Sequence, residues 1–82
     1  MEPLMASILI IATNFVPSGY MPCDGRLLAI SQYTALFSLL GTQFGGDGIT
    51  TFALPKLTPP RLEGPGELLA CIAIQGVYPS RG

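Results

Sequence analysis

The sequence SQYTALFSLLGTQFGGDGITTFALP, from Ser31 to Pro55, decides the fold class. Tyr33, Leu36, Phe37 and Leu40 recur at i, i+3, i+4 and i+7, which places all four on one face of an α-helix. Ser31 is a suitable N-cap and Gly41 a natural terminator, so the spacing predicts a short amphipathic helix over residues 32–40. A helix this short depends on tertiary packing, and its apolar stripe reads as a lid over a small sheet. Gly45-Gly46-Asp47-Gly48 follows as a turn whose glycines reach backbone conformations that other residues resist. Thr50 to Leu54 is then extended, and Pro55 ends that strand or confines it to an edge. A helix and a strand joined by a glycine-rich turn predict a small, irregular, β-rich α+β domain with one short helix.

Moving towards the N-terminus, Leu27 to Ala29 reads as a short strand. Met21 to Gly25 reads as a tight connection, with Pro22 fixing φ and Asp24-Gly25 as hairpin-turn residues. Before it, Ser7 to Phe15 is rich in β-branched residues and closes on the turn signal Pro17-Ser18-Gly19, which favours a strand. Its two sides do not alternate in polarity. A strand apolar on both faces is either central in its own sheet or covered by a neighbouring subunit, and both remain open.

Towards the C-terminus, residues 56–67 contain Pro59, Pro60, Gly64, Pro65 and Gly66 with Lys56, Arg61, Glu63 and Glu67, the composition of an exposed arm. Leu68 to Ile74 is again apolar and predicts a closing strand. The chain thus divides into a core over residues 1–55, an arm over 56–67, and a strand with its tail over 68–82. Two solutions are open for the terminal strands. They pair within one subunit, or the arm carries the last strand onto a neighbour. The candidate subunit interface comprises Ile8, Ile10, Leu69, Ile72, Ile74, Val77 and Tyr78.

Composition points the same way. The chain has 82 residues, of which 49% are hydrophobic and only 11% charged, with a mean hydropathy of +0.51. A domain of this size buries only about 60% of its unfolded surface, so this apolar content calls for a partner surface, most simply a further copy of itself. Membrane insertion is not expected, because the longest nearly apolar run, Leu4 to Ala12, falls short of the roughly 18 residues of a spanning helix. The same run follows Glu2 rather than a basic residue, so it does not read as a signal peptide.

The net charge of −1 arises from four basic and five acidic residues. They are scattered singly and form no basic stripe for nucleic acid. Cys23 and Cys71 fit neither a zinc pattern nor a redox pair and read as buried apolar thiols, with a Cys23–Cys71 bridge as the alternative.

The chain contains no histidine, which removes the usual general base and the commonest nitrogen ligand for metals. Neither cysteine has an imidazole partner to activate it. Asp24 and Asp47 sit beside glycines and read as turn residues, as do Gly25, Gly45, Gly46 and Gly48. The glycine cluster lacks both the Lys-Ser/Thr of a phosphate loop and the further acids of a calcium loop. Phe15, Tyr20, Phe37, Phe44, Phe52 and Tyr78 lack interleaved basic residues and read as core and interface. No catalytic residue, cofactor or metal is expected.

Five motifs in order, Asn14 to Gly19, Cys23-Asp24-Gly25, Ala35 to Thr42, Phe44 to Gly48 and Thr51 to Pro55, resemble the phage tail collar domain, the family that includes the so-called microcystin-dependent proteins. The resemblance runs from about Glu2 to Pro55. It implies a structural, self-assembling part of a phage tail fibre or related fibre- or filament-like particle, often trimeric, with no catalytic residues to carry over. It also implies a virion-tail or extracellular location and contact with other tail or fibre proteins.

Gly19-Tyr20-Met21-Pro22 stands where the family usually has Gly-Trp. Beyond Pro55 the chain resembles short stand-alone relatives, so an assembly role without a distal receptor-binding extension is expected. The competing expectation is a small glycan- or cell-surface-binding module built on the aromatics and the charged arm.

Overall fold

A computed structural model describes residues 3–13, 15–58 and 68–79. The elements in chain order are β1 (Ile8–Ile11), β2 (Tyr20–Pro22), β3 (Leu27–Ala29), α1 (Thr34–Leu40), β4 (Thr51–Ala53) and β5 (Leu69–Ala73). The α+β, β-rich class expected from the sequence is what forms. β1, β5 and β2 make an antiparallel sheet with β5 in the middle, and β3 pairs antiparallel with β4. The two terminal strands therefore pair within one chain, Ile8 opposite Ile72 and Ile11 opposite Leu69. Of the expected arm, residues 59–67 lie outside the described residues.

The segment from Met21 to Gly25 is not the hairpin turn that Pro22 and Asp24-Gly25 predict. Residues Tyr20 to Pro22 form β2 along β5, and Asp24 then bridges Lys56 in the register of the β3–β4 pair. The chain changes sheets at Cys23. Its N–H donates to the Ala70 carbonyl of the first sheet, while its own carbonyl accepts from Leu57 N–H of the second, both at 3.0 Å. Pro22 is compatible with a strand because β2 lies at a sheet edge, where a missing donor leaves no ladder bond unmade.

Helix α1 begins at Thr34, two residues later than the spacing predicts. Ser31 and Gln32 belong to the turn that leaves β3, where the Ala29 carbonyl accepts from Gln32 and Tyr33. Tyr33 occupies the cap position without a side-chain hydrogen bond, and the Thr34 hydroxyl donates back to the Ile30 carbonyl. At the other end Gly41, at φ 58°, closes the helix by donating its N–H to Phe37 O at 2.7 Å.

The helical stripe does become core. Leu36 is buried, and Tyr33, Phe37 and Leu40 pack against the cluster of Cys23, Leu28, Phe52, Leu54, Ala70 and Ile72. The Phe37 and Phe52 rings lie 5.4 Å apart at 57°, a tilted arrangement that aromatic quadrupoles favour. The helix thus covers the seam between the sheets, and the side chains that drive folding come from both.

Candidate assembly surface

Each predicted interface residue has a definite place. Ile8 and Ile10 are 45% and 46% exposed on edge strand β1, and Val77 and Tyr78 are about half exposed. Leu69 and Ile74 are half-buried. Ile72 is different: at 1% exposure it lies in the chain's own core and is not available to a neighbour. The reason is topological. β5 is flanked by β1 and β2, and Ile72 packs in the core cluster with Leu36 and Phe52, whereas among the described residues β1 pairs with β5 alone.

These residues do not stand alone. Leu4, Phe15, Leu27, Phe44, Leu57 and above all Ile49, 82% exposed, are further large apolar side chains at the surface. Phe15 and Phe44 are among the aromatics read from the sequence as core and interface; residue type and periodicity did not single out Leu4, Leu27, Ile49 or Leu57. The available signal for Ile49 was its position directly after Gly48, because a tight glycine turn leaves little backbone surface against which the next side chain can pack.

Around Ile49 the loop is rigidly built. Asp47 Oδ1 accepts from the N–H groups of Ile49, Thr50 and Thr51, and Oδ2 accepts from the Thr50 hydroxyl, all within 2.8–2.9 Å. These bonds hold the Asp47 carboxyl far below the usual carboxylate range. Gly46, at φ +94°, is packed so closely that a Cβ there would lie 2.4 Å from Phe52 Cα. Gly45, Gly46, Asp47 and Gly48, expected from the sequence as turn residues, lie in this loop, and their contacts join it to β4.

The remaining polar groups are structural. Arg26 is paired with Asp24 at 2.8 Å, and its side-chain hydrogen bond lowers the Asp24 carboxyl. Both residues are largely in solvent, where such a pair contributes little. Cys23 and Cys71 are free and buried. Burial, with smaller contributions from Cys71 and Asp24, pushes the Cys23 thiol up to about 11, so it is a poor nucleophile at neutral pH.

Beside them a shallow cleft of about 270 Å³ opens between Pro22, Asp24, Lys56 and Leu69. Among the described residues no three His, Cys, Asp or Glu side chains come together. No helix among them is long and apolar enough to cross a membrane.

What the described surface offers is apolar contact from a rigid small scaffold, the property of a structural module. The profile of the phage tail collar domain matches residues 6–59. The chain belongs to the phage tail collar domain family, a structural and non-enzymatic family of the tail fibre, and this gives it a structural role in the virion tail. Comparison with curated proteins and with solved structures finds no match.

Proposed function

We propose that this chain is a self-associating building block of a phage tail fibre or a related filament-like tail particle, assembling with copies of itself as a closed trimer or an open polymer. The observation that carries the reading is the exposure of ten large apolar side chains among the described residues on a chain with nine charged residues, four basic and five acidic. A small soluble monomer rarely leaves so much apolar surface uncovered. Family membership supports a structural rather than a catalytic use of that surface.

Light scattering and electron microscopy of the purified chain test the reading. Oligomers or fibres at micromolar concentration are expected, and a stable monomer at about 100 μM overturns it. Whole-cell or glycan binding by a monomeric form would instead favour a recognition module.

A further inference from the structure

We infer that the outer edge of β1 is the self-association edge, and that it pairs antiparallel with β1 of a second copy across a two-fold axis centred on Leu9. This inference rests on the self-association reading above and deepens its open-polymer form: a two-fold contact joins chains in pairs, and the polymer then grows from pairs through a second contact on the remaining exposed apolar surface.

The two edges of the β1–β5–β2 sheet are chemically unlike. Antiparallel ladders alternate, so every second residue of an edge strand turns its main-chain groups away from its neighbour. In β1 the bonded positions are fixed by Ala73 N–H donating to Ser7 O and by the register Leu9↔Cys71 and Ile11↔Leu69. The N–H and C=O groups of Ile8 and Ile10 therefore point outward.

In β2 the bond from Cys23 N–H to Ala70 O and the register Met21↔Ile72 leave Tyr20 and Pro22 pointing outward. Neither of these can donate. Tyr20 N–H already donates to Pro17 O at 3.2 Å, and proline has no N–H. A head-to-tail contact of β1 with β2 would leave the outward carbonyls of β1 without donors. A β1 edge has both donors and acceptors, so a second β1 is its complement.

Natural edge strands are usually blunted by Lys, Pro or an inward charge. No charged residue occurs between Glu2 and Asp24, and no proline between Pro3 and Pro17. Two β1 strands can therefore approach without like charges meeting. In the register centred on Leu9, Ile8 of one copy exchanges both main-chain bonds with Ile10 of the other, and these half-exposed side chains cover one another on one face. The two Leu9 side chains meet on the opposite face.

The test uses the full chain. Ile10→Pro removes only an outward N–H, so the β1–β5 ladder and the circular dichroism spectrum should be retained while the dimer dissociation constant rises at least 100-fold. In a Cys71→Ala background, which removes the thiol directly opposite Leu9 in the same chain, Leu9→Cys should form an intermolecular disulfide on mild oxidation, because directly opposed residues bring their Cβ atoms to roughly 4.5–5.5 Å. The parent chain, with both native thiols buried, should not.

A parent chain that stays monomeric at 100 μM overturns this inference together with the function reading. Association that persists unchanged in a folded Ile10→Pro variant, with no Leu9→Cys crosslink, overturns the β1 contact alone. If Ile10→Pro fails to fold, the crosslink decides: its formation supports the contact and its absence overturns it.

Discussion

Gly46 and Gly25 both adopt positive φ, +94° and +82°, yet their surroundings differ. A methyl group at Gly46 meets the backbone of Phe52 and Thr51, which cannot swing aside, whereas at Gly25 the nearest atom is Lys56 Cβ at an ordinary 3.4 Å. Gly46→Ala should therefore lose both backbone freedom and packing, about 2–4 kcal/mol, and Gly25→Ala only about 1 kcal/mol, measurable by urea denaturation.

Asp47 sets a second residue-scale expectation. Its folded pKa is depressed, so its contribution is complete above the ordinary value of 3.8 and is lost as pH falls below that towards its own lower value. The melting temperature should drop below pH 4. In Asp47→Ala that drop should shrink, from a lower starting point at pH 7. That Gly46 and Asp47 stand in a tight loop was legible from their type, whereas Asp24-Gly25, of the same type, does not make a hairpin turn but lies beside Lys56. Which glycine touches backbone was not legible, because that depends on how closely β4 passes.

At the scale of elements, α1 was legible because a 3.6-residue period survives any context that buries one face. Its start was not, because the turn leaving β3 claims the backbone groups that a Ser31 cap would need. Two substitutions separate these effects. Ser31→Ala should change stability by less than about 0.5 kcal/mol, since Ser31 makes no cap. Leu36→Ala should lose about 2–5 kcal/mol through the cavity it leaves. For a domain whose total stability is on the order of 4–12 kcal/mol, the second change removes a large share of it and lowers the melting temperature by roughly 10–40 °C. Strand β2 escaped sequence reading for a different reason: it is three residues long, contains Pro22, and is ordered by β5, about fifty residues further along the chain.

For the whole molecule, the thiols report on integrity. Cys23 sits where the chain passes between sheets and Cys71 at the centre of the first sheet, both under 5% exposed. Labelling by a neutral-pH thiol reagent should therefore be slow for both and should accelerate together across the urea transition; rapid labelling of either in the native state would show that one sheet opens alone.

The pairing of β1 with β5 was one of two arrangements open from sequence. Both strands are apolar on each side, and only the additional pairing of β5 with β2 decides which becomes central. That same topology buries Ile72 and leaves Ile8 and Ile10 half exposed, a distinction invisible in residue type.

Beyond β5 the backbone turns so that Val77 runs parallel to Leu4, with Val77 N–H donating to Pro3 O at 2.9 Å and Met5 N–H donating to Val77 O at 2.8 Å. A tensile force pulling outward at Pro3 and Val77 would slide these two parallel segments past each other and load both bonds at once, instead of peeling them one by one. The clasp lies ahead of the core in the line of load, so the sheets and helix behind it carry no strain until it slips. Under tension, this domain's yield point is set at its clasp and not by its buried side chains.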